Sequence, residues 1–183
     1  MCEEVLVRHG APTLAGLKTG SLFSCPFGGE AAMRECLRCW NRILAPKGLR
    51  AMPLRWQGDR ALVYLYRPDR LARDLQHPEA RALLTPRGYC CEQPARCLAR
   101  LMGRLREQAD FPHEIGLFLS YPPEDVAGFI RSPRCGFKCI GCWKVYGDVH
   151  AARRIFGRYR RCTEIYCARY AEGTGIERLA VAG

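Results

Sequence analysis

The first residues that could carry out chemistry lie near the amino terminus, in the stretch VLVRHGAPT (residues 5–13). An apolar run leads directly into Arg8 and His9, and Thr13 follows closely. The run predicts a buried strand over residues 4–8, which would present both side chains at its carboxyl end. A nucleophilic histidine beside a phosphate-binding arginine is an arrangement suited to phosphoryl transfer. The stretch therefore raises the question of whether the chain is a phosphatase.

A histidine phosphatase needs a second histidine late in the chain, facing the first across the phosphate, and a proton-donating acid. In such enzymes the second histidine usually precedes a glycine at a strand end. The later histidines of this chain, His77, His113 and His150, are not followed by glycine. A shared VRHG tetrapeptide is too short to identify an enzyme, so we do not expect a histidine phosphatase.

Two other clusters contain residue types that suit a small anion. The loop GLKTGS, which follows Thr13, could offer the Lys18 cation and backbone N–H groups to an anion. A surface loop whose glycines serve turn geometry explains it equally well. The segment FPHEIGLFLSYPPEDV places the titratable pair His113 and Glu114 at one end of a predicted strand, where α/β proteins often carry their sites. A capped loop with a buried histidine is the alternative there.

Three cysteines near the carboxyl terminus have the spacing of metal ligands. Cys135, Cys139 and Cys142 form a C-x3-C-x2-C array, the iron–sulfur signature of radical enzymes that use S-adenosylmethionine. Those enzymes place it early in a long barrel, whereas 41 residues follow Cys142 here, so that class is excluded. The thiols could still hold a cluster or, with a fourth ligand, zinc. Because free cysteine is often simply buried, we expect no metal site and keep this array as the alternative.

Bulk properties restrict the kind of protein further. A chain of 183 residues that is 48% hydrophobic fits one compact domain over residues 1–183. The apolar runs are too short for a membrane span, and the amino terminus lacks the pattern of a signal peptide. A cytoplasmic location is therefore expected, in which the 12 cysteines would stay reduced.

The net charge of +11 comes from 25 arginines and only 4 lysines, a bias that a GC-rich genome also produces. The densest basic cluster lies on one predicted helix and contains Arg153, Arg154, Arg158, Arg160 and Arg161. A solvated helix face explains this cluster better than a nucleic-acid surface does, and we expect no nucleic-acid partner. An adaptor that binds acidic partners or nucleic acid through this helix remains a further hypothesis.

The elements that must position these residues can be read from periodicity. Apolar residues recur at helical spacing from Met33 to Leu44, and Gly58-Asp59 separates two β-rich runs, which predicts a hairpin over residues 52–67. The second arm of the hairpin is apolar on both faces, as in a central strand. EIGLFLSYP and CWKVYGD predict later strands, with Asp148 capping a helix. The sequence thus predicts an α/β domain with a mixed sheet, one hairpin and flanking helices.

Four segments together resemble an uncharacterised prokaryotic family, domain-of-unknown-function family 3793. They are HGAPTLAGLKTGSLF, RALVYLYRP, FPHEIGLFLSYPPEDVAGFI and GCWKVYGDVHAARRIFGRY, which occur in matching order between Val5 and Tyr159. The resemblance implies a bacterial source but no established activity. In that family a cysteine commonly stands at Gly10 and a tyrosine at Cys142, which argues against a shared cysteine nucleophile and a shared metal function.

The leading hypothesis is a domain that binds a small anionic ligand, with the question of enzymatic activity left open. We expect His9 and His113 to act as acid–base or ligand-contacting groups with Glu114 in support. Thr13 and Lys18 are expected to hold the anion. Lys144 and Tyr146 alternate on the predicted last strand and are expected to line the same pocket. The rival hypothesis is a thiol- or metal-handling redox protein.

Overall fold

The computed structural model describes residues 2–107 and 111–183. In these ranges, no helix combines the length and the apolar character needed to cross a membrane. The elements are α1 (Cys2–Leu14), β1 (Gly20–Pro26), α2 (Glu30–Leu44), β2 (Arg50–Gln57), β3 (Arg60–Tyr66), α3 (Pro68–Gln76), α4 (Pro78–Leu84), α5 (Pro94–Glu107), α6 (Ile115–Phe118), α7 (Pro123–Arg131), β4 (Cys139–Ile140), β5 (Lys144–Val145), α8 (Val149–Ala171) and α9 (Ile176–Leu179).

The chain divides into two compact units. The first unit contains Met1–Asp69 and Arg161–Gly183, and the second unit contains Arg70–Arg160. The division falls within helix α8.

The first unit is built on a three-stranded sheet in the order β1-β3-β2, in which both pairings are antiparallel. The predicted hairpin is confirmed as β2 and β3, joined at Gly58, whose φ of 55° is a conformation that glycine adopts without strain. The prediction that the second arm is a central strand is also confirmed. Helix α1 packs on β1 and β3, and α2 packs on β2. The predicted α/β class, with a sheet flanked by helices, is confirmed.

The strand predicted over residues 4–8 is wrong, because this segment belongs to helix α1. The buried positions of α1 are Leu6, Val7 and every residue from Gly10 to Leu14, and the step from Leu6 and Val7 to Gly10 and Ala11 is the spacing of one helical turn. The small side chain of Gly10 concealed this period and left only the apolar run visible in the sequence. The predicted loop GLKTGS (residues 16–21) is shorter in the structure, because its last two residues, Gly20 and Ser21, begin β1.

A buried arginine satisfies the carboxyl end of α1. The Arg67 guanidinium is 3% exposed and donates to the carbonyl oxygens of Thr13 and Leu14, each at 2.9 Å, and to that of Val181 at 2.7 Å. The last carbonyls of a helix have no partner within the helix, and a cation there also complements the helix dipole. Arg67 therefore fixes the point at which α1 ends.

The second unit contains a short antiparallel hairpin, β4–β5, and the start of the long helix α8. The predicted cap is confirmed, because the Asp148 carboxylate accepts the N–H of Ala151 at 3.0 Å. The strand predicted from EIGLFLSYP is wrong: Ile115–Phe118 form the short helix α6. A continuous apolar run is buried equally well as helix or strand, so its period could not decide between them.

The packing of α1 on β3 can be tested at Gly10. A Cβ added there would lie 2.7 Å from the Leu65 side chain, so we expect Gly10→Ala to lower the free energy of unfolding by about 1–3 kcal/mol. Leu65→Ala removes a fully buried side chain and should cost about 2–5 kcal/mol. In the Leu65→Ala background, Gly10→Ala should be neutral or stabilising, since alanine favours a helix more than glycine does. Urea denaturation of the four proteins measures this coupling; simple additivity would contradict the packing.

Candidate functional site

The second unit contains a cavity of about 410 Å³. Two residues at its wall, Phe111 and Ile140, are 42% and 64% exposed, which is unusual for large apolar side chains and marks an open mouth. The lining is mostly apolar and aromatic, and consists of Phe111, Pro112, His113, Ile115, Gly116, Tyr121, Asp125, Val126, Phe129, Ile140, Trp143 and Lys144.

One buried carboxylate joins the helix side of this cavity to the hairpin side. Asp125, in the first turn of α7, is 3% exposed. Its Oδ2 accepts the indole N–H of Trp143 at 2.7 Å, and its Oδ1 accepts the main-chain N–H groups of Tyr146 at 2.7 Å and Gly147 at 2.8 Å. Three donors on one carboxylate compensate for the cost of burying the charge.

The floor of the cavity is an aromatic stack around Trp143. The Tyr121 ring stacks on the indole with centroids 4.7 Å apart and an angle of 28° between the planes, and Phe156 of α8 meets the indole edge-on at 4.5 Å. The Tyr121 hydroxyl donates to the Cys142 carbonyl at 3.2 Å. Burial raises the pKa of Tyr121 to about 12, so this hydroxyl remains protonated at neutral pH.

Lys144 brings a positive charge to the cavity wall. Its Nζ donates to the Pro133 carbonyl at 2.6 Å and lies 5.6 Å from the centroid of the Phe129 ring and 4.8 Å from that of Phe137. Aromatic faces attract a cation. Within the residues that the structure describes, Lys144 has no carboxylate partner in a salt bridge. An ammonium group has three donors, so this group retains capacity for an anion.

His113 lies on the same cavity wall and meets the Phe129 ring edge-on at 4.7 Å. The structure therefore brings two of the sequence-predicted site residues, His113 and Lys144, to one cavity. Tyr146 supports that wall: its hydroxyl donates to the Ser132 carbonyl at 2.7 Å, adjacent to the Pro133 carbonyl that Lys144 binds.

Glu114 points into the protein instead. It is 2% exposed, and its Oε1 accepts the Tyr89 hydroxyl at 2.8 Å and pairs with Arg104 Nε at 2.9 Å. Burial, and next the charge of Glu114, raise the pKa of Tyr89. The partners of Glu114 give it a structural function beneath α6, where a buried carboxylate needs a cation and a donor.

The other three predicted residues belong to the first unit. His9 lies on α1, where its ring stacks on Phe23 at 6.1 Å, and burial followed by the charge of Arg8 lowers the pKa of His9. Thr13 is fully buried, and its hydroxyl is hydrogen-bonded to that of Ser21 at 2.9 Å. Lys18 lies in the connection between α1 and β1, with its main-chain N–H donating to the Pro12 carbonyl at 3.1 Å.

The thiols of the C-x3-C-x2-C array lie in and before the β4–β5 hairpin. Cys135 and Cys142 are exposed, Cys139 is half-buried in β4, and the Cys135 thiol is 2.8 Å from the Ser132 hydroxyl. In the described part of the chain, no three His, Cys, Asp or Glu side chains come together in a group that could hold a metal ion. These cysteines therefore have the spacing of metal ligands in the sequence, but the structure does not bring them together as a metal site would.

A family profile described as "Protein of unknown function (DUF3793)" matches residues 6–180. The chain belongs to the DUF3793 family. No curated protein and no solved structure matches it. The resemblance noted in the four sequence segments is thereby confirmed, and the match includes every residue that lines the cavity of this DUF3793 chain.

Sequence reasoning missed the central residue of this DUF3793 site. The sequence places Asp125 among the polar residues around the predicted strand EIGLFLSYP and at the start of a helix, and it places Trp143 in a strand, but it does not connect the two residues. The available signal was the apolar setting of Asp125, which precedes Val126 and Phe129 on the inward side of α7. An acid on the apolar face of a helix must find donors when it is buried.

The hydrogen bonds of Asp125 can be tested by Asp125→Asn. The amide oxygen can still accept the N–H groups of Tyr146 and Gly147, but the amide nitrogen would face the Trp143 indole N–H, donor against donor. We expect the free energy of unfolding to fall by about 1–3 kcal/mol. Chemical denaturation followed by tryptophan fluorescence measures it. Glu124→Gln, at the exposed neighbour that accepts the Asp148 N–H, should change stability by less than about 0.5 kcal/mol; equal losses would contradict the argument.

Thiol reactivity should follow burial. Burial raises the pKa of Cys25 and of Cys97 to about 12, so at pH 8 only about one such thiol in ten thousand is a thiolate. We expect iodoacetamide to alkylate the exposed Cys135 and Cys142 long before either buried thiol. Mass spectrometry of the native protein over time measures the order, with urea-unfolded protein as the control in which the differences should disappear. Labelling of Cys97 as early as that of Cys135 would contradict the burial of the Cys97 thiol.

Proposed function

We propose that this DUF3793 chain binds a small molecule with an apolar body and an anionic group in the cavity of the second unit. The observation that carries the proposal is the combination of a mostly aromatic lining with the ammonium group of Lys144 at its wall. Sites for small molecules are typically apolar cavities of about 300–1,000 Å³ with a few polar groups that fix the ligand's orientation.

The polar groups of the cavity favour an anion over a cation. Asp125 is the acidic residue in the lining, and both of its oxygens already accept N–H donors. Beside the Tyr121 hydroxyl, which donates to the Cys142 carbonyl, Lys144 and His113 supply polar groups, one as a cation and one as an imidazole that can donate or accept. A carboxylate, sulfonate or phosphate group placed beside Lys144 would form a charge-assisted hydrogen bond.

His113 also supplies a group that could transfer a proton to or from a bound molecule. We assign no reaction to this cavity, because an apolar lining with an ammonium group and an imidazole occurs in binding sites and in active sites alike. It places the anion at Lys144 rather than in the loop after α1, since the buried Thr13 hydroxyl is already hydrogen-bonded to Ser21. Binding at Lys18 stays a separate prediction.

Two fluorescent probes test the apolar and anionic parts separately. The probe 1-anilinonaphthalene-8-sulfonate carries an anion, and N-phenyl-1-naphthylamine has the same rings without it. We expect Lys144→Met to weaken binding of the sulfonate about tenfold or more, since a hydrogen bond to a charged group contributes about 1.5–3 kcal/mol. Binding of the neutral probe should be unchanged. Fluorescence titration at a fixed salt concentration measures both affinities.

Lys138→Met is the matched control, because it removes the same charge from an exposed residue near β4 whose Nζ donates to the Gly147 carbonyl. This variant should bind both probes as the unmodified protein does. If Lys144→Met and Lys138→Met weaken the sulfonate equally, the effect is one of net charge and the proposed anion site is wrong. If neither probe binds the unmodified protein, the cavity is not a ligand site for molecules of this size.

A further inference from the structure

The exposed face of α8 is occupied by unpaired arginines. Between residues 151 and 160, the exposed positions of this helix, all in the second unit, are arginine: Arg153, Arg154, Arg158 and Arg160, here called the arginine face. The sequence from residue 149 to 163 contains no Asp or Glu. Among the described residues, none of the four forms a salt bridge.

On two other helices, α1 and α2, exposed arginines form ion pairs with glutamates. On α2, Arg34 pairs with Glu30 and Arg38 pairs with Glu35, and on α1, Arg8 pairs with Glu4. Each of these pairs joins residues three or four positions apart, which are neighbours on a helix surface.

The clustering of these arginines lowers the stability of helix α8 itself. Arg154 and Arg158 are four residues apart, so like charges are neighbours on the helix surface, and such a pair is destabilising by about 0.2–0.5 kcal/mol. The inward face compensates, because Ala152, Phe156 and Tyr159 pack with the cluster around Trp143. A rigid helix thus presents a row of cations whose repulsion an anionic partner would relieve.

We propose that the arginine face binds the phosphate backbone of double-stranded nucleic acid. Charge complementarity carries the choice of partner, because regularly spaced phosphates match a row of guanidinium groups that can each bind phosphate bidentately. The exposed positions of the face carry no aromatic side chain on which an unpaired base could stack. Recognition is therefore of the duplex backbone, without sequence preference. This proposal does not depend on the cavity or its ligand.

The test is fluorescence anisotropy of a labelled 20-base-pair duplex, as DNA and as RNA, over a series of salt concentrations. Neutralising two phosphate-binding side chains in Arg154→Gln/Arg158→Gln should weaken binding at low salt and reduce the slope of log K against log salt by about 1.8 for duplex DNA. The control Arg34→Gln/Arg38→Gln removes the same net charge from arginines that already pair with glutamates. The control should retain the affinity and the slope of the unmodified protein.

Several outcomes would overturn the proposal. The absence of duplex binding at 50 mM salt would do so, as would equal weakening in the two double variants, which indicates net charge alone. Tighter binding of a single strand of the same length would point to base stacking. Preferential binding of a polyglutamate peptide, lost in Arg154→Gln/Arg158→Gln, would assign the face to an acidic protein. If that variant does not fold, Arg153→Gln/Arg160→Gln replaces it, with thermal unfolding as the check.

Discussion

The arrangement of the cavity in the second unit depends on one buried carboxylate, Asp125. Asp125 lies in the first turn of α7 and receives N–H groups from Trp143, Tyr146 and Gly147, so it connects the helix to the hairpin and to the chain leading into α8. An ionised group is costly to bury unless its oxygens are fully hydrogen-bonded, and the donors are fixed in number and direction. The hairpin is therefore held at one position relative to α7, and the space between them is the cavity.

Two glycines, one in α6 and one in α7, stand at positions where close packing leaves no space for a side chain. A Cβ at Gly128 would lie 2.3 Å from the Tyr146 ring, and one at Gly116 would lie 2.8 Å from Val126. Both contacts are shorter than side chains tolerate without displacement. Glycine at position 116 lets α6 approach α7, and glycine at position 128 lets α7 approach Tyr146, whose main-chain N–H Asp125 accepts. The aromatic lining is then pre-formed, which lowers the cost of ordering it around a ligand.

The sequence predicted those elements whose signals are local. The hairpin β2–β3 followed from Gly58-Asp59, α2 from its apolar period, and the α8 cap from Asp148. The segments α1 and α6 were predicted as strands because a short apolar run does not reveal its period, and only tertiary packing decides it. His113 and Lys144 are predicted as site residues from their chemical type, and the structure places both of them at the cavity wall. Asp125 could not be assigned its function, because its donors follow it by 18 to 22 residues.

Arginine side chains are found in three kinds of surroundings in this chain. The comparison distinguishes arginines that are bound to other groups of the protein from arginines that could bind a partner. Arg67 is buried and bound to carbonyl groups, which replace the water that it loses. Arg34 and Arg38 are exposed and bound to glutamates, where an ion pair adds little stability. The arginine face of α8 has neither kind of partner in the described part of the chain. Because neighbouring like charges on one helix repel each other, an anionic partner of the arginine face, which we propose to be duplex nucleic acid, would relieve a repulsion that the chain itself leaves in place.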